Sequence, residues 1–388
     1  MAKKMIYNDL IINKDTFKTL TNFHKSNRIQ NAYIFHGNNG IGKEAHALEF
    51  FALINCSNVL NDGSACRECS SCKKTVSMQH ELLSITLPFP KSKNINKNDS
   101  SLKALNDKDL ESLTAQLKIK GTNPYYKINL EKANTILINS IKDIKKNISL
   151  SVPSNSYRLN LILNAEKLCY PNQESANALL KILEEPTNNN FFILITSDIS
   201  KIIDTIVSRC TSIYFNPIDY KEQFRYLINK GVDSTNAEIA TRLSFGDVNY
   251  SIEISKGFNK QIQLFEKIIL TLLNNDLKNW AEIFSKTNDK KNILEYLTFL
   301  CFFIKDIISY QNNSIENINF SNFKHLIEKF NDNNNINFKG SIDLINKTVN
   351  NINANGYVPL MTTALFIELQ KLFNGESSNK KLKELLYN

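Results

Sequence analysis

Residues 37–43 read GNNGIGK, with Gly37, Gly40 and Gly42 leading into Lys43 in the spacing G-x-x-x-x-G-K. A loop of this kind holds phosphate through backbone amides at a helix N-terminus, while the lysine reaches the β/γ oxygens. The next residue should carry a hydroxyl to ligate Mg²⁺, but here it is Glu44. Hydrolysis also needs a second strand that ends in a Mg²⁺-holding Asp, followed by a Glu that orients water. The matching strand, LNLIL (159–163), ends in Leu163, Asn164 and Ala165. Leucine cannot bind a cation, and asparagine cannot take a proton from water. Glu166, the nearest carboxylate, comes too late and reads as a solvated turn acid. The pattern predicts the shape of a nucleotide site without its hydrolytic chemistry.

A second group is Cys56, Cys66, Cys69 and Cys72, spaced C-x₉-C-x₂-C-x₂-C, among seven cysteines in all. Four thiolates at such spacing can close a tetrahedral structural zinc site with no open position for catalysis. An iron–sulfur cluster or free thiols are the alternatives. His80, eight residues on, reads as a strand-entry residue and not as a ligand. The third feature is Ser208-Arg209-Cys210, an arginine at the end of a short helix. The local string allows either a cation placed on a helix C-terminus or an arginine presented to a nucleotide on another subunit.

The elements that must position these groups alternate strand and helix. AYIF (32–35), LLSITLPFP (82–90), LNLIL (159–163), FFILIT (191–196) and SIYF (212–215) read as strands. Between them, 16–31, 43–55, 136–150 and 175–185 read as helices, the last stopped by Pro186. This alternation predicts an α/β domain with a largely parallel sheet. The polar stretch 91–132 reads as an exposed insertion, partly disordered, with one helix at 101–118. Strand signals end after Pro217. Residues 218–256 suit a small helical domain and 260–388 a helical bundle, with a loop at 331–341.

The 388-residue length fits two or three domains, and the apolar fraction of 42% is that of a globular chain. A net charge of +9 is compatible with nucleic acid nearby but equally with a Lys-rich proteome. No apolar run approaches a membrane span, and the N-terminus has no signal peptide, so a cytoplasmic location is expected.

The ordered set GNNGIGK, Cys₄ cluster, NAEKL, ANALLKILEEP, FFILIT and TIVSRC closely resembles the AAA+ subunits of the bacterial DNA polymerase III clamp loader, in particular the delta-prime type. It is strong over about 20–85 and 136–216, only architectural in the C-terminal half, and does not cover 91–132. The resemblance implies a RecA-like AAA+ domain over 1–216, with a zinc module at about 56–80 and the insertion at 91–132. A helical lid over 217–256 and a helical collar over 257–388 would follow.

It further implies a stator in a heteropentamer with gamma/tau and delta subunits, which loads a sliding clamp onto primer–template DNA. Arg209, within Ser208–Cys210, would then serve an adjacent gamma/tau ATP site. The zinc ligands would be Cys56, Cys66, Cys69 and Cys72. An ATPase subunit should have Ser or Thr after Lys43, Asp-Glu at 163–164, and a lid arginine where Asn249 stands. Thr196 fits the polar end of the sensor strand and reads as structural. Weak ATP or ADP binding at Gly37, Gly40, Gly42 and Lys43 stays open. So do two alternatives: a gamma/tau-like ATPase using Glu44 or Glu166, and a zinc-dependent nucleic-acid-binding protein with a vestigial phosphate loop.

Overall fold

The computed structural model describes residues 6–375 except 186, 288 and 332–335, and the backbone alone at 257–259. It divides into two compact units. One comprises the chain up to Lys230 with Ser244–Tyr250; the other comprises Gly231–Leu243 and the chain from Ser251 onward.

The first unit is built on five strands: β1 (Ala32–His36), β2 (Leu83–Thr86), β3 (Arg158–Ile162), β4 (Asn190–Thr196) and β5 (Thr211–Tyr214). They form one sheet in the order β2-β3-β4-β1-β5, and every pairing is parallel. Helices account for the burial of both faces: α1 (Lys14–Lys25), α2 (Lys43–Ile54), α3 (Ser70–Val76), α4 (Asp107–Thr122), α5 (Ile138–Ile148), α6 (Glu174–Glu184), α7 (Asp204–Val207) and α8 (Tyr220–Asn229). All seven residues of β4 are buried, as a strand covered on both sides must be.

One face of the sheet packs Ile34, Ile162, Phe192 and Leu194 against Ile141 and Ile144 of α5, Leu179 and Ile182 of α6, and Ile206 of α7. The other face carries an aromatic cluster: Tyr33 meets Phe50 edge-on at 5.8 Å, and Phe35 meets Phe215 at 5.1 Å. The parallel α/β sheet expected from the alternating pattern is present. α6 ends at Glu184; the stop assigned to Pro186 falls on a residue outside those described.

Residues 91–132 depart from expectation. Asn106 and Asp109 form a capping box that starts α4, which runs to Thr122, beyond the expected end at 118. Ala104, Leu105, Tyr125, Ile128 and Leu130 are each buried to 5% exposure or less. The stretch is an ordered part of the first unit. Its polar composition misled because its few apolar side chains are grouped where they meet the sheet-bearing core.

The second unit is helical among the described residues. Its helices are α9 (Ser234–Ser244), α10 (Val248–Leu273), α11 (Leu277–Lys286), α12 (Lys290–Gln311), α13 (Lys324–Asn331), α14 (Phe338–Asn353) and α15 (Val358–Phe373), where the first and second also supply the residues assigned above to the sheet unit. α10 passes through residue 256 without interruption. Phe265 and Phe320 pack at 5.0 Å, and the Trp280 indole N–H donates to the Thr362 carbonyl at 2.9 Å. The loop expected at 331–341 lies partly outside the described residues, and from Phe338 it is already helix. No described helix is long and apolar enough to cross a membrane.

Candidate functional site

The register pairs His36 with Thr196, so the loop that follows β1 leaves the sheet beside the end of β4. Gly40 and Gly42 adopt φ of +62° and +84°, and Gly42 caps α2 in the left-handed region. A Cβ on Gly40 would lie 1.7 Å from Asp247 Oδ1, so the Asp247 carboxylate occupies the space against the loop. Glycine is required there by both conformation and close approach.

Lys43 does not face an open site. Its ammonium donates to the Gly37 carbonyl at 2.7 Å and to the Asn38 carbonyl, and the residue is 6% exposed. Burial lowers its pKa to about 8; Lys127 acts in the same direction, while the carboxylates of Glu44, Asp247 and Glu166 oppose it. The three carboxylates favour the charged form of this lysine, against the cost of its burial.

Glu44 is paired with Lys120, from the end of α4: Nζ and Oε2 are 2.5 Å apart, with the side chains 4% and 15% exposed. The Lys120 ammonium also donates to the Pro124 carbonyl at 3.1 Å and the Tyr126 carbonyl at 2.8 Å. Next to it, Gly121 lets the chain approach the Val76 carbonyl, which a Cβ would meet at 2.2 Å. The segment Lys120–Lys127 thereby covers the glycine loop. A cavity of about 60 Å³ remains, lined by Lys43, Glu44, Lys120, Lys127, Asn164, Thr196, Asp247 and Asn249 among others. That is room for about two waters at roughly 30 Å³ each, far below the roughly 300 Å³ at which ligand pockets begin.

The segment before α1 straps this arrangement from the other side. The Ile6 and Tyr7 amides donate to the Glu49 carboxylate at 3.0 and 2.9 Å. The Ile11 amide donates to the Tyr125 hydroxyl at 2.7 Å, and the Asn13 amide to His46 Nε2 at 3.0 Å. His46 Nδ1 then donates to the Gly42 carbonyl at 2.8 Å, which fixes a neutral ring. Burial pushes His46 down to about 4, opposed by that carbonyl, and lifts Glu49 to about 7, opposed by the Tyr7 and Ile6 amides and by Arg67.

At the end of β3, Leu163 is buried and Asn164 turns the chain at φ +51°. Glu166 is not the solvated turn acid its position suggested. It is half-buried and accepts from the Thr196 hydroxyl at 2.8 Å, because the left-handed turn at Asn164 swings it back over the end of β4.

The four thiols converge: the sulfurs of Cys56, Cys66, Cys69 and Cys72 all lie within 4.8 Å of one another. Zn–S bonds of 2.3 Å in a tetrahedron imply sulfurs about 3.8 Å apart, so the set fits one tetrahedral ion. The Cys66 amide donates to Cys56 Sγ at 3.2 Å and the Cys69 amide to Cys66 Sγ at 3.3 Å, bonds that stabilise thiolates. His80 stays outside the set: Nδ1 accepts from the Leu82 amide at 3.1 Å and Nε2 faces the Ser71 hydroxyl at 3.0 Å.

The SRC triplet divides its labour by chemistry. The Ser208 hydroxyl donates to the Thr205 carbonyl at 3.1 Å, closing the last turn of α7. The Cys210 thiol packs on the core below and is lifted to about 12 by burial, which keeps it an unreactive thiol. Arg209 projects outward, with its guanidinium on the Thr205 carbonyl at 3.0 Å and on the Glu184 carboxylate at 2.5 Å. It stands apart from the glycine loop's lining, so the structure does not join the sequence candidates into one centre.

Sequence reasoning missed Lys120, Tyr125, Asp247 and Glu184. The available signals were slight: Gly121 and the pair Tyr125-Tyr126 in an otherwise polar tract, and the acidic end of ANALLKILEE.

A family model described as DNA polymerase III, delta subunit, matches residues 12–219, more than half of the chain. The delta' subunit of Bacillus subtilis is 25% identical over 245 residues, which cover 62% of this chain; the chain spans 58% of that relative's length. The gamma subunit of Buchnera aphidicola (strain Bp) is 26% identical over 361 residues, 85% of each chain. Among solved structures, a gamma subunit-related protein of Thermotoga maritima overlaps 92% of this chain and 100% of its own, at 14% identity and a TM-score of 0.43. The match over the whole sheet-bearing segment and the names of these relatives agree: the chain belongs to the DNA polymerase III delta-subunit family of clamp-loader AAA+ proteins.

Proposed function

We propose that this chain is a non-catalytic, delta-prime-type subunit of the replicative clamp loader, working beside gamma/tau and delta subunits to place a sliding clamp on primed DNA. The observation that supports this most is the covered phosphate loop, where Lys43 is bonded to its own loop and Lys120 is paired with Glu44. Such a site hydrolyses nothing. The subunit's contribution is geometric: Arg209 reaches the γ-phosphate held by a neighbouring subunit. An arginine supplied in this way accelerates hydrolysis by about 10³–10⁵. In this reading residues 1–216 are the AAA+ domain, 217–256 a lid and 257–388 a collar that assembles the complex. Cys56, Cys66, Cys69 and Cys72 hold a structural zinc ion.

The test is a reconstituted loader with Arg209→Ala. DNA-stimulated ATP hydrolysis should collapse while assembly, followed by gel filtration, persists; unchanged turnover would remove the assignment. A gamma-type reading draws on the 85% two-way coverage by the Buchnera relative. It requires ATP hydrolysis by the purified chain alone, abolished by Lys43→Ala.

A further inference from the structure

The motif ANALLKILEE ends in Glu184 and Glu185, and neither the sheet nor the glycine loop uses Glu184. Glu184 is the last residue of α6, and its carboxylate lies 2.5 Å from Arg209 Nη2. Arg209 Nη1 meanwhile donates to the Thr205 carbonyl at 3.0 Å. Two different acceptors, one on α6 and one on α7, thus fix the guanidinium plane at both amino groups. The frames carrying them are rigid: Leu179, Ile182 and Leu183 of α6 share one core with Ile206 and Cys210. The two side chains are still 37% and 41% exposed, so the pair is open to an incoming partner.

We propose that Glu184 is the positioning residue for Arg209. It orders the guanidinium before a neighbouring subunit's phosphate arrives and then cedes it to that phosphate. The inference rests on the reading that Arg209 acts in trans. A guanidinium has five N–H donors in a rigid fork, and two are engaged here. A single half-exposed carboxylate holds the fork well enough to select one rotamer. A polyphosphate, more highly charged and bidentate, displaces it. Pre-ordering removes part of the rotamer entropy that a free arginine loses on docking. The effect belongs to the transition state, where the arginine must be within a fraction of an ångström of its place.

The experiment compares Glu184→Ala, Glu184→Gln, Arg209→Ala and the double variant Glu184→Ala/Arg209→Ala in the reconstituted loader, reading kcat and KM for ATP with DNA present. Glu184→Ala should lower kcat about tenfold with KM changed less than about twofold. Glu184→Gln, which keeps an acceptor oxygen, should recover most of the loss even if the alanine variant assembles poorly. The double variant should match Arg209→Ala alone. Full activity of both Glu184 variants, or the same proportional loss in the Arg209→Ala background, overturns the positioning role while leaving the trans arginine intact. An Arg209→Ala loader with normal turnover overturns both.

Discussion

The Lys120 ammonium lies 2.5 Å from the Glu44 carboxylate, the lysine side chain almost wholly buried and the glutamate largely so. The contact lacks the alignment of a hydrogen bond, so its strength is that of charge in a poorly solvated place. Lys120→Met should leave a buried carboxylate uncompensated and lower unfolding free energy by about 3–5 kcal/mol, read by urea denaturation. Lys120→Met with Glu44→Gln should be markedly milder, because no lone charge remains.

With a cavity of about 60 Å³ over the loop, the purified chain should give no heat of binding with MgATP or MgADP in calorimetric titration. Lys43→Ala should leave the turnover of a reconstituted loader unchanged. Clear nucleotide binding that disappears in Lys43→Ala would return the glycine loop to service.

His46 and Glu49 make opposite demands on pH. His46 falls from 6.5 to about 4 on folding, so its share of stability is complete above 6.5 and is lost as pH drops toward 4. Glu49 rises from 4.5 to about 7, so its share is complete below 4.5 and is lost as pH climbs through 7. Each swing is on the order of 3 kcal/mol, and between about pH 4.5 and 6.5 the two slopes oppose each other. The combined contribution of these two groups to unfolding free energy should be nearly flat there, so the variants are read as differences from the wild-type profile. Relative to the wild type, Glu49→Gln should make unfolding free energy rise with pH and His46→Gln should make it fall; parallel profiles in all three would refute the pairing.

The Cys₄ set should yield one zinc per chain by elemental analysis of protein purified without chelator. Cys66→Ser should lose the metal. Strong chelation should lower the melting temperature by several degrees, since a structural zinc contributes directly to folding. Iron in place of zinc, or neither, would reassign the thiols.

Gly40→Ala should be destabilised by about 1–3 kcal/mol, from the left-handed backbone and from displacement of Asp247. The Asp247 carboxylate it would push away accepts from the Tyr250 amide at 2.9 Å. Adding Asp247→Ala should recover only the steric part, leaving a residual loss in thermal denaturation that belongs to the φ of +62°.

The strands were readable because fully buried parallel strands are continuous apolar runs, as AYIF and FFILIT are. The thiol set was readable from spacing alone, since two-residue spacers admit few geometries. What could not be read was the cover of the glycine loop. Lys120 sits in KIKGTNPYYK, a string whose composition is that of solvent-exposed chain, and nothing local says that this one lysine is 3% exposed. Its burial is made possible by a carboxylate 76 positions earlier, at Glu44, and such pairings leave no periodicity. Glu166 was misread for the same reason: the turn at Asn164 decides which way it points, and a left-handed asparagine is not announced by its neighbours.

The cover of the loop belongs to the same chain, and this changes how it competes. Lys120 and Tyr125 stand to the phosphate loop as a tethered ligand, and a tethered ligand has an effective concentration set by its tether. For short flexible tethers that is millimolar, and a folded one does better. It cannot be diluted, and it cannot be washed out when nucleotide supply changes. A loop that stays saturated by its own chain answers only to the free energy of folding and not to the nucleotide concentration around it.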